Sequence, residues 1–113
     1  MRNALLVLAL FISTVVTAPS ASAVPMVGMN GVCPNAWSLA NYISANYAVR
    51  SIGGIRSDAL PDHPSGHALD LMVDTATGNA IYADLSSNPG RFGIKYMLWQ
   101  VPSHYDHVHV TVF

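Results

Sequence analysis

The chain has 113 residues, of which 51% are hydrophobic, and its five basic and six acidic side chains give a formal net charge of −1. This length allows one small domain, and the near-neutral charge excludes a basic surface for binding nucleic acid or a membrane. All the acidic residues are aspartates, so any carboxylate chemistry falls to an aspartate. Because Cys33 is the single cysteine, the chain cannot form an internal disulfide. A bound metal ion is therefore favoured as an additional source of stability for so small a core. We expect Cys33 to be a buried thiol, with an intermolecular or reactive thiol as the alternative.

Residues 1–23 are typical of a secretory signal peptide. They combine Arg2, an apolar run over 4–16 and the small-residue ending Ala21-Ser22-Ala23. The apolar run is short for a bilayer span, which needs about 20 residues. We therefore expect a secreted or cell-wall protein without a stable membrane anchor, whose single domain covers residues 24–113. An uncleaved anchor helix is the alternative.

The first half of this domain is predicted to hold one helix and one short strand. Apolar residues at helical spacing predict a helix from about Ala36 to Tyr47, with Trp37 on its apolar face and Asn35 as its cap. A strand bent at a glycine pair is predicted over 52–56, followed by a loop over 57–65.

The second half is predicted to hold three strands and a helix. An apolar run over 67–73, interrupted by Asp70, predicts a strand. A helix over 80–85 with Asn79 as its cap is followed by strands over 94–101 and 107–113. The order of elements predicts an α+β domain with a small, mainly antiparallel sheet.

The five histidines fall into two clusters, DHPSGHALD at 62–70 and HYDHVHV at 104–110. Side chains alternate along a strand, so His107 and His109 are expected on one face, which is a start for a zinc site. An H-x-H pair on an exposed strand is also often without function. His67 and His104 receive no ligand role, and His67 is expected at the surface.

Asp70 would be costly to bury in an apolar strand without a positive partner. A metal ion would serve, and so would an ion pair with Arg56 or Arg50; the residues alone leave both open. Gly66 suits the bend that leads from His63 into the strand, because it lacks a Cβ.

These motifs resemble the M15-type zinc D,D-peptidases, within the lysostaphin- and hedgehog-like metallopeptidase superfamily. HPSGHALD at 63–70 fits the H-x-x-G-x-A-x-D core of this group, and DHVH at 106–109 is similar to its late motif, with an acidic residue three before the last histidine. Small secreted actinobacterial domains look most similar, since they share GGIR, HPSGHALDLMV and HYDHVHV. The resemblance covers residues 33–112.

The resemblance implies roles for six residues. His63, Asp70 and His109 would bind zinc (Zn²⁺), which leaves a fourth place for water. Asp106 would be the general base, although it must reach farther than a glutamate. His107 would stabilise the oxyanion or shuttle a proton, and Arg56 would polarise the scissile carbonyl or hold a substrate carboxylate.

The resemblance further implies a zinc metallopeptidase that hydrolyses peptidoglycan stem peptides or related D-amino-acid peptides. We also expect a monomer. The short segment between Trp99 and His104 predicts an open cleft, and Trp99 itself is expected to pack in the core. Two alternatives remain. One is a non-catalytic zinc domain with a structural or cell-wall-binding role. The other is a metal-free two-histidine phosphoesterase, suggested by the element His109-Val110-Thr111-Val112.

Overall fold

The structure of the protein, a computed structural model, describes residues 24–113, so the predicted signal peptide over 1–23 lies outside the described residues. This part of the chain is an α+β domain, as predicted, with two α-helices and a five-stranded sheet. None of the helices within 24–113 is long and apolar enough to cross a bilayer. The elements in chain order are β1 (Met26–Val27), α1 (Pro34–Asn46), β2 (Ser51–Gly53), β3 (Ala68–Met72), α2 (Thr75–Ser87), a 3₁₀ helix (Pro89–Phe92), β4 (Ile94–Leu98) and β5 (His107–Val112).

The sheet has the strand order β1-β2-β3-β5-β4. β1 pairs with β2 in parallel, and the other three pairings are antiparallel. The register of β3 and β5 places Asp70 opposite His109 and Met72 opposite His107. The two central strands therefore bring together residues from the two sequence motifs.

The two faces of the central strands differ in chemistry. Leu69 and Leu71 of β3 pair with Val110 and Val108 of β5, and all four are buried in one apolar cluster with residues from both helices. Because side chains alternate, Asp70, His107 and His109 lie on the opposite face. The helices thus cover the apolar face, and the polar motifs share the other. The helix residues in the cluster are Ala36, Leu39, Ala40, Ile43, Ile81 and Leu85.

The start of α1 differs from the prediction. The cap position is Cys33, with Pro34 as the first helical residue, so the predicted cap at Asn35 was wrong. Asn35 instead donates from Nδ2 to the carbonyl oxygen of Phe113 at 2.9 Å. Proline at the first turn is favourable because its missing N–H has no partner there in any helix. Trp37, predicted on the apolar face, is 41% exposed.

The second helix is longer than predicted. It begins at Thr75, and the Asp74 carboxylate caps it by accepting a hydrogen bond from the Thr77 backbone N–H at 2.8 Å. The predicted cap at Asn79 was wrong, since Asn79 lies inside the helix and accepts a hydrogen bond from Trp99 Nε1 at 3.0 Å. The first turn of α2 is polar, so apolar spacing could not reveal it.

A polar cluster around Asp84 joins the two helices. Asp84 Oδ2 accepts hydrogen bonds from the hydroxyls of Tyr42 and Tyr47, each at 2.6 Å, and Arg91 Nη2 lies 3.2 Å from Oδ1. The bonds from Tyr42 and Tyr47 lower the pKa of Asp84. The bond to Asp84, with burial, raises the pKa of Tyr47 to about 12.

Candidate metal centre

Three polar side chains from separate segments meet on the polar face of the sheet. His63 comes from the loop before β3, Asp70 from β3 and His109 from β5. His63 Nε2 lies 3.2 Å from His109 Nδ1 and 3.2 Å from Asp70 Oδ1, and His109 Nδ1 lies 3.4 Å from the same oxygen. The structure thus brings together the three residues predicted to bind zinc, in a spacing that could hold a metal ion.

A tight turn holds His63 against the sheet. The Gly66 N–H donates to the His63 carbonyl oxygen at 3.1 Å, and the His67 N–H donates to the Asp62 carbonyl oxygen at 3.0 Å. Gly66 has a φ of 82°, and a Cβ there would lie 2.7 Å from the Gly31 carbonyl oxygen. Only glycine fits this position without strain, which agrees with the predicted bend.

In both His63 and His109, the ring nitrogen that points away from the cluster is hydrogen-bonded. This bond determines which nitrogen of each ring carries the proton. His63 Nδ1 lies 2.8 Å from the Gly54 carbonyl oxygen, which can only accept, so Nδ1 carries the proton. His109 Nε2 lies 2.7 Å from Thr111 Oγ1, and that hydroxyl donates to Asp62 Oδ2 at 3.0 Å. Thr111 therefore accepts from His109 Nε2. In the neutral rings, His63 Nε2 and His109 Nδ1 carry lone pairs.

The two lone pairs and Asp70 Oδ1 converge. Asp70 Oδ1 is the one buried side-chain oxygen or nitrogen within residues 24–113 that has no hydrogen-bond partner. Three acceptors within 3.4 Å of one another repel unless a cation or a proton lies among them. Two imidazole nitrogens and one carboxylate oxygen are ligands that zinc prefers, and three protein ligands are typical of its catalytic sites. The residues present therefore fit the ion that the sequence predicts.

The charges of the cluster depend on these same contacts. Burial raises the pKa of Asp70, but the His109 and His63 rings, which can donate to Oδ1 only when they are protonated, outweigh it and hold the pKa of this carboxyl far below its usual range. Burial lowers the pKa of His63, but Asp70 and the Gly54 carbonyl oxygen accept hydrogen bonds from the protonated ring, which outweighs that effect and raises the pKa. A proton and a metal ion therefore compete for the same atoms.

Arg56, not Arg50, is the arginine that pairs with Asp70. Arg56 Nε lies 3.0 Å from Asp70 Oδ2 and its Nη1 lies 3.3 Å from Asp58 Oδ2. Arg50 instead donates to the Val73 carbonyl oxygen at 2.9 Å. Asp70 thus has an arginine at one oxygen and the two histidines at the other. A metal ion and an ion pair with Arg56, the two partners that the sequence left open, could therefore be present together.

Asp106 and His107 form a pair beside the cluster. Asp106 Oδ1 lies 2.8 Å from His107 Nδ1, and His107 Nε2 lies 3.6 Å from Asp70 Oδ1. The hydrogen bond with His107 lowers the pKa of Asp106, whose side chain is 70% exposed. His107 therefore presents Nε2 to the cluster, and Asp106 contacts the cluster through His107.

An open cleft of about 310 Å³ lies next to the cluster. Its walls include Arg56, His107, His109 and also His104, whose ring centre lies 4.9 Å from that of His107. Trp99 packs against the core, as predicted, and a Cβ at Gly78 would overlap its ring. Asp58 and Asp62 also line the cleft, so it offers both hydrogen-bond donors and acceptors to a polar ligand such as a peptide amide.

Sequence reasoning missed three residues that contact the cluster from outside. Thr111 bonds His109, Asp62 accepts from Thr111, and the Tyr96 hydroxyl also donates to Asp62. The hydrogen bond from Tyr96 lowers the pKa of Asp62, and that from Thr111 lowers it further, whereas burial opposes both. One signal was available for Thr111, because it lies two residues after His109 and so on the same strand face. Nothing in the sequence placed Tyr96 near Asp62.

Comparison with known proteins gives one match. The family profile described as VldE, C-terminal domain matches residues 28–107, which is more than half of the chain. The chain belongs to the VldE C-terminal domain family. Neither a curated protein nor a solved structure matches it. Membership of the VldE C-terminal domain family does not by itself specify a reaction, and the resemblance to the M15-type peptidases stays a prediction.

Proposed function

We propose that this protein is a secreted zinc metallopeptidase that hydrolyses amide bonds in peptidoglycan stem peptides or related D-amino-acid peptides. The observation that carries the zinc site is the convergence of His63 Nε2, Asp70 Oδ1 and His109 Nδ1, in which the buried Asp70 oxygen has no hydrogen-bond partner. The cleft beside these atoms supports a reaction at the site. The substrate class rests on the resemblance of the two sequence motifs.

The proposed division of roles follows the contacts. His63, Asp70 and His109 would hold zinc, which supplies an activated water and a Lewis acid when bound. His107 Nε2 faces the cluster and is placed to accept a proton, while Asp106 holds Nδ1 of that ring and stabilises its charged form. Asp106, predicted from the sequence as the general base, would thus act through His107. This arrangement removes the need for a short aspartate to reach the water.

Arg56 is proposed to bind the substrate oxygen. It lines the cleft beside Asp70 and is held by both Asp70 and Asp58. A guanidinium fixed by two carboxylates is preorganised to meet a carbonyl or carboxylate oxygen of a peptide, so it loses little side-chain entropy when the substrate binds.

The test is the zinc content of the purified full chain after dialysis against zinc-supplied and then zinc-free buffer, with the His109→Ala variant measured beside it. About one zinc per chain that is absent from the variant supports the site. Peptidoglycan fragments are then assayed for new amine and carboxyl ends. A folded wild type without zinc would refute the proposal and return attention to the metal-free phosphoesterase. Zinc binding with no hydrolysis by the wild type or by Asp106→Ala would favour the non-catalytic zinc domain.

A further inference from the structure

We propose that Tyr96, Asp62 and Thr111 form a positioning chain that holds His109 with Nδ1 toward the metal and thereby sets the zinc affinity. None of the three is a candidate ligand in the cluster. The inference rests on the proposed zinc site, and it concerns how the protein's own residues prepare that site before a metal binds.

The hydrogen bonds of this positioning chain all run in one direction. Asp62 is ionised and only accepts, so both the Tyr96 hydroxyl and the Thr111 hydroxyl must donate to its Oδ2. Thr111 Oγ1, having donated its proton, can only accept from His109 Nε2 at 2.7 Å. The proton of His109 is therefore confined to Nε2, and Nδ1 is left with its lone pair toward Asp70 and His63.

Two further contacts fix the position of the His109 ring. The Tyr96 ring stacks on it, with centroids 5.8 Å apart and planes 18° from parallel. Thr111 is 1% exposed, so water does not replace its hydroxyl as a partner of His109. The ring is thus held in its plane by Tyr96 and at its outer edge by Thr111.

The same positioning chain also connects the segments that carry the two histidine ligands. Asp62 precedes His63 in the loop, whereas Thr111 and His109 belong to β5. The hydrogen bond from Thr111 to Asp62 therefore ties the loop that carries one ligand to the strand that carries the other. Hydrogen-bond partners of metal ligands commonly change metal affinity by about 10–100-fold when they are removed.

The test compares zinc affinity between the wild type and Thr111→Val in the full chain, by competition with a chromogenic chelator. Valine keeps the shape of threonine and suits a strand, but it removes the hydroxyl. We expect zinc binding to weaken by about 10–100-fold, and Thr111→Ser, which restores a hydroxyl, to bind close to the wild type. Tyr96→Phe should weaken binding by a smaller factor. Tyr82→Phe is its matched control, because Tyr82 on α2 has nearly the same exposure, 40% against 39%.

A second measurement separates positioning from a general loss of structure. In the metal-free wild type at pH 8, imidazole nitrogen NMR should show His109 with its proton on Nε2 alone, and Thr111→Val should show a mixture of tautomers. Equal zinc affinity of wild type and Thr111→Val, or an unchanged single tautomer in the variant, overturns the inference while the proposed function stands. A wild type that binds no zinc overturns both.

Discussion

The role of Asp70 gives the sharpest quantitative prediction. Asparagine has nearly the same shape as aspartate but is neutral, so Asp70→Asn removes the one carboxylate of the His63, Asp70 and His109 cluster. We expect zinc affinity to fall by at least about 100-fold, above the range seen when only a partner of a ligand is lost. His63 and His109 remain, so residual weak binding is expected.

The expected loss of zinc affinity can be converted into a change in the melting temperature, Tm. A ligand at 100 times its dissociation constant stabilises the folded state by about 2.7 kcal/mol. In a domain of this size, 1 kcal/mol shifts Tm by about 4–8 °C, so zinc should raise the wild-type Tm by about 11–22 °C. At the same zinc concentration, a site weakened 100-fold gains only about 0.4 kcal/mol, or about 2–3 °C.

The assay is thermal unfolding followed by circular dichroism, with and without zinc, at a zinc concentration set from the wild-type dissociation constant. Asp106→Asn is the matched control, because it makes the same chemical change at a side chain that is 70% exposed and outside the cluster. It should keep the full zinc-induced shift. A full shift in Asp70→Asn would refute the assignment of Asp70 as a ligand.

Four further predictions test other parts of the structure. Asp106→Ala should retain zinc but lower kcat by about 100-fold or more, as expected when a proton-transfer group is lost; unchanged kcat would remove Asp106 from the mechanism. Asp84→Asn should lower the free energy of unfolding by about 1–2 kcal/mol at pH 7, because a charged acceptor of two hydroxyls is lost. Since the folded-state pKa of Asp84 is lowered, this difference should be present above the unfolded pKa and disappear as the pH falls through the folded value, which urea unfolding at several pH values measures. The raised pKa of Tyr47 predicts that its absorbance titration is centred near pH 12 and that its contribution to stability is lost as the pH rises through that value; a titration near pH 10 would contradict it. Gly78→Ala should displace Trp99 and lower Tm despite the better helix propensity of alanine, which near-ultraviolet circular dichroism and a melt would show.

The α+β class could be predicted because the strands around Asp70 and His109 are apolar and alternate, and their period shows directly in the sequence. The first residues of the two helices could not be predicted. The first turn of α2 is polar and depends on the Asp74 cap, and α1 begins at a proline whose neighbour Asn35 bonds to the far end of the chain. Local spacing carries no information on such long-range partners, and competing caps therefore looked equivalent.

The candidate ligands were identifiable from the sequence because an aspartate buried in an apolar strand needs a positive partner, and the resemblance paired it with His63 and His109. Only the tertiary structure decided which atoms meet. The antiparallel register sets Asp70 opposite His109, and the turn at Gly66 brings His63 Nε2 to both. The contact between Tyr96 and Asp62 was likewise invisible, because it joins residues 34 positions apart through sheet order and side-chain direction. Strand pairing and the packing of the loop on the sheet determine these contacts, since no local pattern encodes the distance between segments far apart in the chain.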